Sequence, residues 1–247
     1  MTRPSRRPRS SRLPAIVALA AALLVAGCAS QPRGIGGDEA DESPADAYTQ
    51  LGMAYLERDN LRRAMGALDR ALEIAPDDPE ALQAMAMAYQ RQGESELADE
   101  TFRKALSANP DFTRGRNNYA AFLYDRGRVR EACEQLDQAS KDPQYPNRAQ
   151  LFANLGQCRR DLGDIEAARD SLRRAQEIDS RATRSYFTLA ELEYAEGNLE
   201  RAREQIEAFM RLAGSRPEAL RLASKIARDQ GDATTAAFYT EQLEGER

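Results

Sequence analysis

The chain of 247 residues contains 40 acidic and 35 basic residues, which gives a formal net charge of −5, and it has no histidine. This balance is a poor match for nucleic acid, because neutralisation of phosphates by Lys and Arg supplies most of the non-specific affinity for nucleic acids. Without histidine the commonest general base, the Ser-His and Cys-His nucleophile pairs and nearly all zinc sites are excluded.

The first 27 residues have the pattern of an export signal. Residues 1–12 carry five arginines and no acid, and about fourteen mostly apolar residues follow up to Gly27. A membrane-spanning helix needs roughly 20 apolar residues, whereas the core of a signal peptide needs about 7–15, so the length favours export. Removal of these residues takes away five arginines and no acid, which lowers the formal charge from −5 to −10.

The residue that follows this segment is Cys28. The small residues Ala26 and Gly27 precede it in the stretch LVAGC, which resembles the lipobox of bacterial lipoproteins. That resemblance implies cleavage before Cys28 and its acylation by several chains, since a single chain binds membranes only marginally. Ala29, where Asp is absent, implies sorting to the outer membrane with the body facing the periplasm. An uncleaved anchor and a plain secreted thiol are the alternatives.

Residues 28–44 have the composition of a flexible tether. This stretch lacks aromatic residues and has no helical apolar period. As a Gly-rich coil it would span about 20–25 Å in root-mean-square terms, which is enough to hold a folded body just off a bilayer.

From residue 45 to about residue 244 the sequence is periodic. Small residues recur at intervals of 34, 34, 36, 34 and 34, at Ala64, Ala98, Ala132, Ala168, Ala202 and Ala236. Another small residue lies twelve positions before each of them, and a Gly, or Asp59 in the first unit, lies five positions before. The pattern divides this region into six units that begin near residues 45, 79, 113, 149, 183 and 217.

This pattern resembles the tetratricopeptide repeat, a 34-residue helix–turn–helix unit. The resemblance predicts an all-α fold, a right-handed superhelical solenoid of six units whose groove is lined by the first helix of each unit. The small residues are expected where the two helices of a unit cross, because only small side chains permit so close an approach. A generic helical bundle is the alternative.

No pattern for catalysis occurs in the sequence. The glycines are spaced about once per repeat rather than gathered in a phosphate-binding loop, and no pair of carboxylates stands out. Acidic residues on repeat helices usually lie on solvated faces. We therefore expect a protein that is not an enzyme, holds no cofactor or metal, and acts by binding other proteins.

Cys133 and Cys158 are the two remaining cysteines. They fall on the second helix of unit three and the first helix of unit four, which pack together in such a solenoid. In an exported protein a disulfide between them would close a loop of about 25 residues, worth ~3 kcal/mol in the chain-entropy model. Two buried thiols that never meet are the alternative.

Apolar side chains on the first helices of units one and two are predicted to face the groove. They are Met53, Leu56 and Met87. Because Met is flexible and polarizable, the hypothesis is that an amphipathic or extended partner segment docks here. The alternative is that these side chains fill gaps in the core.

Unit three contains two adjacent asparagines, Asn117 and Asn118, which are predicted to face the groove beside Tyr124. Asn is unfavourable inside a helix, so these residues are candidates for hydrogen bonding to a peptide backbone, although bonds within the solenoid would explain them equally well. Some repeat grooves bind a terminal carboxylate through a set of Lys, Asn and Arg. That set is incomplete in frames that begin at unit one or two, so such recognition is not expected.

A longer motif connects units three and four. The sequence from Asn117 to Cys158 resembles the PilF/PilW family of type IV pilus biogenesis proteins, through Asn-Asn-Tyr and Phe-Leu-Tyr at residues 117–124, Tyr145–Pro146, and Asn-Leu-Gly at residues 154–156. The likeness extends over almost the whole mature chain. Cys133 and Cys158 depart from the family pattern.

The family resemblance implies a pilotin, a lipoprotein that escorts the pilus secretin subunit to the outer membrane and promotes its multimerisation. Its partners would be the secretin subunit, the lipoprotein sorting machinery and, through acylated Cys28, outer-membrane lipid, with no nucleic acid. The alternative is another periplasm-facing repeat lipoprotein that scaffolds cell-wall enzymes or barrel assembly.

Overall fold

The computed structural model describes residues 43–245, and all regular secondary structure in that range is helical. The predicted signal segment, Cys28 and residues 29–42 of the predicted tether lie outside the described residues. The twelve helices between residues 43 and 245 are α1 (Pro44–Glu57), α2 (Leu61–Ile74), α3 (Pro79–Gln92), α4 (Ser95–Ala108), α5 (Thr113–Asp125), α6 (Val129–Ala139), α7 (Arg148–Asp161), α8 (Ile165–Ile178), α9 (Thr183–Ala195), α10 (Leu199–Ala213), α11 (Pro217–Asp229) and α12 (Ala233–Gly245).

Consecutive helices pair into six helix–turn–helix units, each of which packs on the next. The first helices of the units begin within one residue of the predicted unit starts, at Pro44, Pro79, Thr113, Arg148, Thr183 and Pro217. The predicted all-α solenoid of six repeated units is therefore confirmed. In the described part of the chain, no helix combines the length and apolar character needed to cross a bilayer.

The first helix of the array begins at a capping box. The Ser43 hydroxyl oxygen accepts a hydrogen bond from the backbone N–H of Asp46 at 3.2 Å, and the Asp46 carboxylate accepts one from the N–H of Ser43 at 3.1 Å. Such reciprocal bonds satisfy two amides that have no partner within the helix. The helix thus starts one residue inside the predicted tether.

Close packing within a unit depends on the small residues that repeat in the sequence. A Cβ atom added at Gly52 of α1 would lie 2.6 Å from Cγ of Leu68 in α2, and one at Gly156 of α7 would lie 2.6 Å from Cγ of Leu172 in α8. Both distances are far below van der Waals contact. The two helices of each of these units are therefore as close as glycine permits.

The turn inside each unit uses a left-handed backbone conformation. Gly93 has φ of +85°, a region that glycine enters without steric cost, whereas Asp59 takes the equivalent place in unit one with φ of +54°. Asp tolerates this conformation better than most side chains because its short polar group can hydrogen-bond locally. The repeat pattern therefore continues through the first unit without its glycine.

A buried ion pair joins units four and five. Arg169 of α8 donates to Glu193 of α9 through Nε at 2.7 Å, and Asn198 donates to the same carboxylate at 2.8 Å. The side chains of the pair are 8% and 2% exposed. Burial works against the charged carboxylate, yet the hydrogen bonds from Arg169 and Asn198 lower the pKa of Glu193. These bonds fix the position of α9 against unit four.

Candidate functional site

The prediction that Leu56 faces the groove is wrong. Its side chain is 3% exposed and belongs to a core cluster with Ala64 and Leu68 of its own unit and Ala84 and Ala88 of α3. The alanines of α3 leave room for a large side chain from the neighbouring unit, and burial of a Leu side chain stabilises the fold by about 1.5–3 kcal/mol. Leu56 is therefore part of the packing between units one and two.

The two methionines predicted beside it are half-buried and pack against the same cluster. Met53 contributes to the edge of this core. The sulfur of Met87 lies 3.7 Å from Nε2 of Gln83 and 3.9 Å from Nδ2 of Asn118, so it links units two and three. Met53, Leu56 and Met87 therefore do not form an open apolar patch.

The predicted residues of unit three, in contrast, line a single pocket of about 290 Å³ between the first helices α5, α7 and α9. We call it the amide pocket, because amide side chains predominate in its polar lining. The polar lining residues are Asn117, Asn118, Tyr124, Asp125, Gln150, Asn154, Gln157 and Arg184, and the apolar ones are Ala120, Ala121 and Leu136.

A chain of hydrogen bonds crosses the amide pocket through three consecutive units. Arg184 of α9 donates to Oδ1 of Asn154 in α7 at 2.9 Å, and Asn154 donates through Nδ2 to Oδ1 of Asn117 in α5 at 3.4 Å. Each of these side chains is held by its neighbour from the next unit. The lining is therefore ordered before any partner binds.

A second group of hydrogen bonds surrounds Tyr124. Its hydroxyl accepts from Nε2 of Gln157 at 2.9 Å and donates to the carboxylate of Asp161, which Arg160 also contacts. Burial raises the pKa of Tyr124, and the hydrogen bond to Asp161 raises it further. Arg160 in turn donates to Glu191 of α9 at 2.7 Å, so this group also connects units three to five.

A disulfide holds two of the helices that form the amide pocket. The structure contains a bond between Cys133 of α6 and Cys158 of α7, with their Cα atoms 5.8 Å apart. Gln157, which precedes Cys158, lines the pocket. The bond spans the connection between units that is longer by two residues, so it covalently fixes the junction where the repeat spacing is irregular.

Sequence reasoning missed part of this site. It did not single out Gln150, Gln157, Asp125 or Arg184 as lining residues. A signal for Arg184 was present. The set of Lys, Asn and Arg positions that binds a terminal carboxylate in some repeat grooves was compared only with frames that begin at unit one or two. In a frame that begins at unit three, Asn117, Asn154 and Arg184 occupy three of these positions. The pocket draws its lining from three units, and a search one unit further along would have found it.

The side chains that line the amide pocket are suited to binding a polypeptide through hydrogen bonds. A primary amide both donates and accepts hydrogen bonds, as a peptide group does, and it can therefore pair with an extended polypeptide backbone. Within residues 43–245, no group of three or more His, Cys, Asp or Glu side chains is arranged to hold a metal ion. The pocket thus offers directional hydrogen bonds and one cation.

Comparison with known proteins gives two results. Family models of the tetratricopeptide repeat match residues 45–88, 79–112, 123–183 and 187–244. The type IV pilus assembly protein PilF of Pseudomonas aeruginosa is 34% identical over 206 residues, which cover 83% of this chain and 82% of that protein.

Solved structures show the same relationship. A structure of Pseudomonas aeruginosa PilF is 35% identical and superposes with a TM-score of 0.75, over 81% of this chain and 90% of that one. The crystal structure of PilW, described as a widely conserved type IV pilus biogenesis factor, is 30% identical with a TM-score of 0.74, over 81% of this chain and 92% of that one.

Proposed function

Because the chain belongs to the PilF/PilW family of tetratricopeptide-repeat proteins of type IV pilus biogenesis, we propose that it is a pilotin. It binds the pilus secretin subunit, brings it to the outer membrane and promotes its multimerisation there. The observation that carries this proposal is identity of 34% to a type IV pilus assembly protein along 83% of the chain.

The proposed action is escort rather than catalysis. The repeat array holds the secretin subunit in the groove formed by its first helices, with the amide pocket as the directional part of that surface. Acylated Cys28 is passed to the lipoprotein sorting machinery, which places the complex at the outer membrane with the array facing the periplasm.

The test is deletion of the gene followed by complementation. Secretin multimers are counted in isolated outer membranes of the deletion strain, of a strain carrying the wild-type gene, and of a strain carrying Cys28→Ala. We expect the multimers to disappear on deletion, to return with the wild type, and to remain low or misplaced in the inner membrane with the variant, because the thiol that would be acylated is missing.

Two controls make this result specific. Immunoblots must show equal amounts of the wild-type and variant proteins, and cell-wall cross-linking is measured in the same strains. Unchanged secretin multimers together with altered cross-linking would refute the pilotin proposal and favour an adaptor for cell-wall enzymes.

A further inference from the structure

We infer that the amide pocket binds an extended segment of the partner protein by pairing a carboxylate of that segment with Arg184, while the amide side chains bind its backbone. This inference rests on the proposed function, since it specifies what the groove recognises in its cargo. The carboxylate belongs either to an Asp or Glu side chain or to the end of the partner chain.

The first observation is the state of Arg184. It is exposed, lines the pocket, and is oriented by its 2.9 Å hydrogen bond to Asn154. Among residues 43–245 it forms no ion pair. The neighbouring Arg160 differs, because its charge is matched by Asp161 and Glu191. Arg184 is therefore a positioned cation that lacks an anionic partner in the part of the chain that the structure describes.

The second observation is the polar lining next to Arg184. Gln150, at the equivalent position in unit four, forms no hydrogen bond within residues 43–245, so its amide is available to a ligand. Asn154 and Asn117 continue the row into units four and three. An extended polypeptide bound across α9, α7 and α5 would meet Arg184 on the first of these helices and amide side chains on the other two, which can pair with its backbone groups.

The third observation is the charge at the other side of the pocket. Asp125 ends α5, is exposed, and has no hydrogen-bond or ion-pair partner among the described residues. Arg184 belongs to unit five and Asp125 to unit three, so they lie at opposite ends of the row of units that lines the pocket. Asp125 repels a carboxylate from the unit-three side and so sets the direction in which the segment lies.

The chemistry of Arg favours a carboxylate over other acceptors. A guanidinium group binds a carboxylate through two parallel hydrogen bonds, and such charge-assisted bonds are roughly twice as strong as neutral ones. One of its N–H groups already bonds Asn154, which leaves the others for a ligand. The single cation matches one carboxylate rather than the several that a full cationic set would bind.

The experiment measures binding of short overlapping synthetic peptides, taken from the periplasmic region of the secretin subunit of the same organism, to the purified full-length mature protein in detergent. Each peptide that binds is also made with individual Asp or Glu residues changed to Asn or Gln, and in a form with an amidated carboxyl terminus. Dissociation constants are measured for the wild type, for Arg184→Gln, and for the control Arg181→Gln, which removes an exposed charge three residues away outside the pocket.

We expect one carboxylate removal to weaken binding to the wild type about tenfold, which corresponds to about 1.4 kcal/mol. Removing the same carboxylate should have little effect on peptide binding to Arg184→Gln, and Arg181→Gln should bind the peptides like the wild type. Weaker binding after amidation would identify the chain terminus as the source of the carboxylate, and weaker binding after an Asp or Glu substitution would identify a side chain. Wild-type affinity should also fall with added salt more steeply than that of Arg184→Gln.

The inference is overturned if Arg184→Gln binds every peptide as tightly as the wild type, if removing carboxylates never weakens binding, or if no secretin peptide binds. Its failure can be separated from failure of the proposed function. If the intact secretin subunit binds the wild type and Arg184→Gln equally, the pilotin proposal stands and the role of Arg184 is refuted. If the intact subunit does not bind the wild type, both are refuted.

Discussion

Leu56 in unit one and Tyr124 in unit three occupy the same position of the repeat, and the structure uses them differently. Leu56 is 3% exposed in the core between units one and two, whereas Tyr124 is partly exposed and lines the amide pocket. The fifth position shows the same contrast. Thr49 is 3% exposed and its hydroxyl oxygen has no hydrogen-bond partner within residues 43–245, while Asn117 bonds to Asn154 in the pocket.

The difference shows that the same helix face serves packing in one part of the array and lines an open polar pocket in another. Apolar side chains at these positions are drawn into the junction with the next unit, because burial removes their surface from water. Tyr124 and Asn117 remain at the surface of the pocket, where each bonds to a residue of unit four. Thr49 is buried although it is polar, so the chemistry of the residue does not decide the role alone, and the closeness of the next unit matters as well.

The largest expected effect of a substitution is at Leu56. Leu56→Ala should lower the free energy of unfolding by about 3–4 kcal/mol, because it leaves a cavity in the core between units one and two. The half-buried Met53→Ala is the matched control and should cost clearly less. Denaturant titration followed by circular dichroism measures both. Equal losses of stability would show that Leu56 contributes no more to the core between units one and two than Met53 does.

The next effect concerns the disulfide at the junction of units three and four. Reduction, or replacement of Cys133 and Cys158 by Ala, should lower the free energy of unfolding by about 3 kcal/mol, because the bond closes a loop of 25 residues. Thermal unfolding with and without reductant measures this. The double variant should no longer respond to reductant, and a wild type that does not respond would contradict the prediction.

A smaller effect is expected at Tyr124. Tyr124→Phe should cost about 1 kcal/mol at neutral pH, since it removes the hydroxyl that bonds Gln157 and Asp161. The folded state raises the pKa of this phenol, first through burial and then through Asp161. The contribution of the phenol to the free energy of unfolding is therefore complete below the ordinary pKa of about 10, and it is lost as the pH rises through the raised pKa.

Unfolding titrations of the wild type and Tyr124→Phe at neutral and alkaline pH test this sign. The two proteins should converge as the pH rises. A gap between them that widened with pH would show that the hydroxyl is stabilised in its ionised form instead.

The smallest effect is a gain of stability in unit one. Gly66 lies within α2, and a Cβ atom added there would meet nothing within 4 Å. Gly66→Ala should therefore raise the free energy of unfolding by about 0.8 kcal/mol through helix propensity alone. Gly156→Val is the opposite control, because its side chain would collide with Leu172. A loss of stability in Gly66→Ala would indicate a packing role for Gly66 that its open surroundings do not suggest.

The fold could be predicted from the sequence because close helix crossings require small residues, and their intervals give the unit starts to within one residue. The same periodicity assigned Leu56 incorrectly. A repeat position gives the direction of a side chain from its helix, but not how near the next unit comes. Here that distance depends on Ala84 and Ala88 in α3.

The site could be predicted in part. Asn117 and Asn118 were found because adjacent asparagines are unusual inside a helix, and the structure places both in the amide pocket beside Tyr124. Arg184 was not found, because it lies in a unit two places further along and an exposed arginine is ordinary on its own. Its place in the pocket becomes visible only when α5, α7 and α9 are brought side by side.

The Cys133–Cys158 bond also has a mechanical consequence. Units of a repeat array contact only their neighbours, so tension applied to the two ends separates them one junction at a time. If a lipid at the amino terminus and a cargo in the amide pocket pull against each other, the load crosses units one and two, which are joined by the peptide chain and by non-covalent packing, without a disulfide between them. Those two units would act as the extensible spring, while the cross-linked junction keeps the grip intact under strain.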